Sequence, residues 1–242
     1  MPLTNHTILI TGAGGGLGST AALALAQQGA TIILLDKSIP KLEKIYDTIV
    51  AADATTPIMY PFDLAGATEV QYHELANKLA EKYGHIEGLL YSAIEFDAFT
   101  PLSIHSSMAW GHTLNVNLNA PFILTKVLLP LLNKAEHASI VFTIDSYVRD
   151  AKAYSGAYGV SLIALESYAK ILAEELSSAK KIRVNTFVPG PVDSPLRKKA
   201  FPAEDKSKLL AMSELAPAYL YLFSHKSIGT TGQTVDARTF KL

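Results

Sequence analysis

Hydrophobic positions along this chain fall into two kinds of segment. Seven short runs are continuously or nearly continuously apolar, which is typical of strands buried on both faces of a sheet. These runs are residues 7–11, 31–36, 58–62, 88–92, 139–143, 182–188 and 232–237. Between them, apolar residues recur at helical spacing over residues 16–28, 38–52, 68–83, 108–133, 157–178 and 216–223.

The regular alternation of strand and helix predicts the fold class. No linker, repeat or low-complexity tract interrupts it, so we expect a single α/β domain over residues 1–242. The predicted architecture is a doubly wound parallel sheet of the Rossmann type, with about seven strands and helices on both faces. The stretch 195–210 is polar, and we expect a mobile lid segment over residues 191–212.

A glycine cluster joins the first predicted strand to the first helix. It contains Gly12, Gly14, Gly16 and Gly18, directly after Thr11. Glycines let a pyrophosphate approach the backbone, and the helix that follows directs free N–H groups at that anion. The order strand, glycine turn and helix therefore predicts a dinucleotide site, although an ordinary glycine-rich turn has the same composition.

Bulk properties narrow the partners. The chain has 21 basic and 22 acidic residues, a net charge of −1 and no long run of either sign, so we expect no nucleic-acid or anionic-membrane partner. It has no cysteine, and its 7 histidines show no metal-ligand spacing, so no metal site is predicted. The apolar stretches look too short to span a bilayer, and the segment before the first strand leaves no room for a signal peptide. We therefore expect a cytoplasmic protein that binds small molecules.

Two aspartates follow predicted strands at the edge where ligands bind in such sheets. Asp36 ends the second strand about 20 residues past the glycine turn, where a carboxylate accepts both ribose hydroxyls of an adenosine and repels a 2′-phosphate. This position favours NAD and makes NADP less likely, although the neighbouring Lys37 softens the discrimination. Asp63 could accept a hydrogen bond from the adenine amine. For each, the alternative is an ordinary turn or loop aspartate.

Several motifs together resemble the short-chain dehydrogenase/reductase family along the full length of the chain. The motifs are TGxxxGxG from Thr11 to Gly18, Asp63-Leu64, NVNLNAPF at 115–122, SGAY at 155–158, VPGPVDS at 188–194 and TTGQTVDA near the end. The resemblance implies hydride transfer between a nicotinamide cofactor and a carbonyl or alcohol. It also implies cofactor contacts from the glycine loop and from residues after the later strands: Leu17, Leu64, Ser92, Ala93, Pro189, Gly190 and Ser194.

The resemblance implies catalytic roles that this sequence fills only in part. Tyr158 matches the family's proton-exchanging tyrosine, and Asn117 matches the asparagine that anchors a water relay. Four residues after the tyrosine, where the family has lysine, stands Leu162. Thirteen residues before it, where the family has a carbonyl-orienting serine, stands Asp145, with Ser146 beside it. For Tyr158 the alternative is a packing residue on a long helix.

A further departure concerns the cofactor. The family's Asn-Ala-Gly reads Ser92-Ala93-Ile94 here, so a β-branched side chain replaces the glycine that lets backbone approach the cofactor.

These departures predict altered chemistry. A tyrosine with a pKa near 10 is only about 0.1% phenolate at pH 7, and without the lysine charge alcohol oxidation lacks a competent base. Reduction is less affected, because it needs the neutral phenol. A carboxylate at Asp145 repels a developing oxyanion and raises the tyrosine pKa further, so a cationic substrate such as an iminium would suit the site better.

Two functions follow as alternatives. The chain is either an atypical, weak or reduction-biased NAD-dependent oxidoreductase, or a catalytically silent relative that acts as a dinucleotide-binding or protein-interaction scaffold. The resemblance also implies a homodimer or homotetramer that pairs through the two long helices, and Leu162 could belong to that subunit surface. The basic residues of the lid segment fit either an anion clamp or a solvated face.

Overall fold

The computed structural model describes residues 2–241. At the centre of this part of the chain is one seven-stranded sheet. The strands are β1 Thr7–Thr11, β2 Thr31–Asp36, β3 Ile58–Pro61, β4 Gly88–Tyr91, β5 Ala138–Thr143, β6 Ile182–Val188 and β7 Thr234–Asp236. Their order is β3-β2-β1-β4-β5-β6-β7, and every neighbouring pair is parallel. The predicted doubly wound parallel sheet is confirmed.

Helices cover both faces of this sheet. They are α1 Gly16–Ala26, α2 Ile39–Ala51, α3 Glu69–Tyr83, α4 Ser107–Leu114, α5 Ala120–Leu132, α6 Gly156–Leu176, α7 Pro195–Ala200 and α8 Ala216–Phe223. The core splits into two clusters, one on each face. Leu124 and Leu165 belong to the cluster under α3, α5 and α6, and Leu42 and Leu222 belong to the cluster under α1, α2 and α8. Burial on both faces is the reason that the strands are apolar without alternation.

The strand order places the ligand crevice. β1 lies between β2 and β4, so the chain winds outward in opposite directions from β1. The connections that leave the carboxyl ends of β1 and β4 therefore diverge and leave a gap between them. In sheets of this kind the gap is where ligands bind.

The predicted helix 108–133 is one helical run with a defect. It extends over Ser107–Leu132, and its middle turn, Asn115–Asn119, is a π-helix between α4 and α5. By length and composition this run could span a membrane, so the expectation that every apolar stretch is too short is wrong. Half of its apolar window is nevertheless buried inside the domain, where α5 packs on α3 and α4 packs on α6. Core helices pass the same test of length and hydropathy.

The lid segment, residues 191–212, is more regular than its polar composition predicts. It contains α7 and a 3₁₀ turn at Lys206–Lys208, and its ends meet in a bridge between Val192 and Leu210. Phe201 anchors it to the domain, because its ring contacts Phe99 and Tyr147 at centroid distances of 5.4 and 5.0 Å. The sequence pattern shows no sign of this docking, because the partner rings come from loops after β4 and β5.

The glycine loop touches the chain that follows β4. Gly12 has a φ of +64°, and a Cβ at this position would lie 2.6 Å from the backbone of Ala93. A Cβ at Gly18 would lie 2.3 Å from the carbonyl oxygen of Gly12. These glycines are therefore required by backbone packing within the protein, in addition to any need for close approach of a ligand.

We expect Gly18→Ala to lower the free energy of unfolding by about 1–3 kcal/mol, since the added methyl overlaps a carbonyl oxygen that cannot rotate away. Gly111→Ala is the matched control. It lies within α4 with open space around the added Cβ, and it should raise stability by roughly 0.5–1 kcal/mol. Urea denaturation of the two variants measures both values, and equal midpoints would contradict the packing argument.

Candidate active site

A cavity of about 500 Å³ lies along the carboxyl ends of the parallel strands. It extends from the glycine loop and the end of β2 to the residues after β4, β5 and β6 and to the start of the lid segment. Most of the predicted site residues line it: Gly12, Gly14, Gly16, Leu17, Asp36, Asp63, Leu64, Ser92, Ala93, Asp145, Tyr158, Pro189, Gly190 and Ser194. Thr11, Gly18, Asn117 and Ser146 do not line the cavity.

The end of the cavity at the glycine loop has the features of an anion site. Helix α1 begins at Gly16 after Gly15, which caps the helix without a side chain, and no acidic residue lies in its first turn. The N–H groups of a first helical turn have no partner within the helix, and the helix dipole favours negative charge there. These features fit the diphosphate of a dinucleotide.

Two unpartnered hydroxyls line the same cavity. The Oγ of Ser92 and the Oγ1 of Thr143 are buried and have no hydrogen-bond partner among residues 2–241. Buried hydroxyls are normally satisfied, so these two are available to a bound molecule. Ile94 also lines the cavity, and the cavity still joins the glycine loop to Tyr158. The side chain at this position therefore narrows the cavity without dividing it.

Asp36 lies where the sequence predicts, with lysines beside it. Its Oδ2 accepts a hydrogen bond from the Gly14 N–H at 3.1 Å, and its Oδ1 accepts one from the Ser38 N–H at 2.9 Å. Each carboxylate oxygen keeps a second lone pair for a ribose hydroxyl. Lys37 and Lys41 line the same end of the cavity. This end therefore places the Asp36 carboxylate and two lysine side chains beside an adenosine ribose, and the Lys37 Nζ lies 3.8 Å from a carboxylate oxygen of Glu95.

Three other residues predicted to contact the cofactor accept hydrogen bonds from backbone N–H groups of the protein. The Oγ1 of Thr11 accepts the N–H groups of Ser92 and Ala93, each at 3.2 Å, which joins the end of β1 to the end of β4. Asp63 accepts the Ala65 N–H at 3.1 Å, the loop contact that was its alternative interpretation. Ser194 caps α7 by accepting the Arg197 N–H at 3.1 Å.

Tyr158 and Asp145 are hydrogen-bonded to each other at the end of the cavity opposite the glycine loop. The phenol donates to the Asp145 Oδ2 at 2.7 Å, and the Asp145 Oδ1 accepts the Tyr147 N–H at 2.9 Å. The two elements that carry the pair are α6 and the turn after β5. Ser146 lies in that turn away from the cavity, so the carboxylate, not the neighbouring hydroxyl, faces the tyrosine.

This contact makes the tyrosine a weak acid. Burial raises the pKa of Tyr158 well above its ordinary value, and the negative charge and hydrogen bond of Asp145 raise it further. The positive charge of Arg197 acts in the opposite direction but is the smallest of these effects. Tyr158 is therefore a neutral phenol at physiological pH.

Arg197, on α7, also lines the cavity, but its charge is already paired. Its guanidinium makes two hydrogen bonds to Glu204, each of 2.6 Å, and stacks 3.9 Å above the Phe201 ring. The hydrogen bonds that Arg197 donates to Glu204 are the main reason that the pKa of Arg197 lies above its ordinary value. The sequence alone left the basic lid residues open between an anion clamp and a solvated face, and Arg197 is neither free nor solvated.

Leu162 and Asn117, which stand at two further positions of the family motif, make contacts within the fold. Leu162 is fully buried in the core of the domain, so the suggestion that it lies on a subunit surface is wrong. Asn117, in the π turn, accepts the Glu95 N–H at 2.7 Å and donates to the Glu95 carbonyl at 3.0 Å and to the Ser161 Oγ at 3.1 Å. These bonds use both of its donors, so its side chain fastens the loop after β4. Its role as a water anchor stays a prediction.

Sequence reasoning missed several residues of the cavity. Thr143 is the last residue of β5, and its place at a strand end was a usable signal. Lys41 lies in the first turn of α2. It has no local pattern that distinguishes it from a surface position, and only the packing of α2 beside the glycine loop brings it to the cavity.

The comparisons with known proteins agree with this geometry. The profile of the short chain dehydrogenase family matches residues 6–205, and the chain belongs to that family. It is 36% identical over 236 residues to the oxidoreductase YciK of Escherichia coli K12, covering 98% of this chain and 93% of that protein. It is 30% identical over 247 residues to the 3-oxoacyl-[acyl-carrier-protein] reductase FabG of Thermotoga maritima, covering 97% of each chain.

Solved structures show the same relationship. A short chain dehydrogenase from Shigella flexneri 2a, solved with NADP, has a TM-score of 0.93 at 36% identity over 98% of both chains. One from Escherichia coli CFT073, solved with NADPH, gives the same TM-score, identity and coverage.

The phenol of Tyr158 should stay protonated through pH 10. Asp145→Asn removes the neighbouring negative charge and should lower the pKa of Tyr158 toward its ordinary value. The ¹³Cζ resonance of labelled tyrosine, assigned by its loss in Tyr158→Phe, reports this titration. A Tyr158 resonance that titrates identically in wild type and in Asp145→Asn would contradict the assignment of Asp145 as a cause.

Proposed function

We propose that this protein is a nicotinamide-dependent oxidoreductase that works in the direction of reduction on a small molecule. The observation that carries the proposal is the single cavity, which joins an anion site at the glycine loop to the Tyr158–Asp145 pair. A reduced nicotinamide dinucleotide bound along it supplies a hydride. Gly14, Gly16 and the start of α1 would hold the diphosphate, and Asp36 the adenosine ribose.

The state of Tyr158 supports a preference for reduction. A neutral phenol can donate a proton or a hydrogen bond, whereas oxidation of an alcohol needs a base at the same place. Burial and Asp145 both favour the neutral form, and the family's lysine position holds the buried Leu162. We therefore infer weak activity in oxidation.

The choice of cofactor needs correction relative to the sequence prediction. The expected preference for NAD has no support, because related proteins were solved with NADP and with NADPH. Lys37 and Lys41 beside the Asp36 carboxylate can pair with a 2′-phosphate, which offsets the repulsion from Asp36. We infer that NADPH binds at least as tightly as NADH.

The second candidate is a catalytically silent protein that retains the dinucleotide site. The observation that favours it is the substitution of the lysine by Leu162 within the core, together with the phenol's existing bond to Asp145. Both candidates bind dinucleotide, so turnover distinguishes them.

Association between copies of the chain and a cytoplasmic location are also proposals. Phe122 on α5 and Val160 and Ile171 on α6 are about half exposed, at 51%, 49% and 58%. Apolar side chains at these positions on the two long helices support pairing through that face.

Tyr158→Phe should abolish turnover of carbonyl substrates, for which the phenol is the proton donor, and leave dinucleotide binding unchanged, since it removes only the phenol oxygen. The measurements are fluorescence titration with NADPH and NADH, and absorbance at 340 nm across a panel of carbonyl and imine substrates. Tyr83→Phe is the matched control for a general loss of activity, because it removes a phenol oxygen that has no hydrogen-bond partner within residues 2–241 and does not line the cavity. Binding without turnover of any substrate by wild type would favour the silent scaffold.

The cofactor preference should depend on three charged side chains at the adenosine end of the cavity, those of Asp36, Lys37 and Lys41. Asp36→Ala should shift the ratio of dissociation constants toward NADPH by about tenfold, or roughly 1.4 kcal/mol, by removing a repulsive charge. Lys37→Ala with Lys41→Ala should weaken NADPH by a similar factor and change NADH little. Fluorescence titration of both cofactors with each variant measures this. Loss of NADH affinity alone in the double lysine variant would overturn the assignment.

A further inference from the structure

The Tyr158–Asp145 pair offers hydrogen-bond acceptors to the cavity. The only donor of the phenol points at the Asp145 Oδ2, at 2.7 Å. A substrate can therefore meet only lone pairs, those of the phenol oxygen and of the carboxylate oxygens. The pair has no second O–H group to donate. A ketone oxygen is itself an acceptor, so it cannot bond to this pair unless the phenol first breaks its bond to Asp145.

The net charge beside the Tyr158–Asp145 pair also disfavours a ketone substrate. Asp145 is negative, and the facing Arg197 is held in a two-point pair with Glu204. The three side chains therefore leave one net negative charge beside the phenol. A developing oxyanion is repelled there, whereas a cation is stabilised.

Resting on the proposed function, and deepening it, we propose that the substrate is a cationic imine, whose protonated nitrogen is bound by Asp145 and the phenol oxygen of Tyr158. A protonated imine has an N–H donor and a positive charge, which match the acceptors and the negative charge of the pair. Both departures from the family motif, aspartate for serine and leucine for lysine, then serve one chemistry.

The reaction balances without an acid at the site. The imine carbon accepts a hydride, with its electron pair, from the reduced nicotinamide, which is oxidised. The π electrons of the C=N bond move to the nitrogen, which loses its positive charge and becomes a neutral amine. The proton on nitrogen was present from the start, so no proton is transferred in this step. A lysine that tunes the tyrosine for proton exchange is then not required.

Three bicyclic probes of similar shape test this with NADPH. They are 3,4-dihydroisoquinoline, its permanently charged N-methyl iminium salt, and the neutral ketone 1-tetralone. We expect kcat/KM for both nitrogen compounds to exceed that for the ketone by at least about tenfold, which is the effect of roughly one favourable charge contact. The N-methyl salt separates the effect of charge from that of the N–H donor.

Variants of Asp145 supply the decisive comparison. Asp145→Asn keeps the size of the side chain and should lower kcat/KM for the iminium salt by about tenfold. Asp145→Ser introduces a hydroxyl donor and should raise ketone reduction relative to imine reduction. Asp150→Asn removes an exposed carboxylate that pairs with Lys152 at 3.6 Å, and it is the matched control that should change neither rate.

Binding provides a readout independent of turnover. The product-like cation tetrahydroisoquinolinium should bind about tenfold more weakly to Asp145→Asn than to wild type by calorimetry, with and without NADP, whereas neutral tetralin should bind both equally. Reduction of the ketone but not of the nitrogen compounds would overturn the imine assignment and leave the oxidoreductase proposal intact. NADPH binding with no turnover of any probe would overturn both, and an unchanged imine preference in Asp145→Ser would overturn the role of Asp145.

Discussion

The site depends on a backbone contact between the glycine loop after β1 and the chain after β4. Gly12 lies so close to Ala93 that a Cβ would overlap its backbone, and Thr11 bonds the N–H groups of Ser92 and Ala93. This contact holds the connections after β1 and β4 together where they leave the paired strands, and Gly12, Ser92 and Ala93 line the cavity there.

The Tyr158–Asp145 hydrogen bond is the second constraint, and it changes the chemistry that the fold supports. In a buried site, a phenol bonded to a carboxylate is difficult to ionise and has no free donor. Tyr158, which the resemblance matches to the family's tyrosine, therefore has a raised pKa, and its O–H already donates a hydrogen bond to Asp145. Arg197 of the lid segment lines the cavity but does not reverse this, because its guanidinium is paired with Glu204.

Much of the fold could be predicted because its signals are local. Apolar strands, helical spacing and the glycine cluster each occupy a short window, and a parallel sheet brings the ends of its strands to one edge. That rule placed Asp36 and Ser92 around one cavity, and the family resemblance placed Tyr158 there. Neither signal showed how the lid segment is held, because the docking of Phe201 on distant rings leaves no periodic trace.

The sequence by itself determined the α/β architecture and the glycine loop, and it places leucine and aspartate where the family resemblance implies lysine and serine, because these are properties of residue type and spacing. Only the tertiary structure decided that Asp145 rather than Ser146 meets the tyrosine, that Leu162 is a core residue, and that Lys41 and Thr143 line the cavity. These facts depend on side-chain direction and on contacts between residues far apart in the chain, and both arise only when helices and strands pack together.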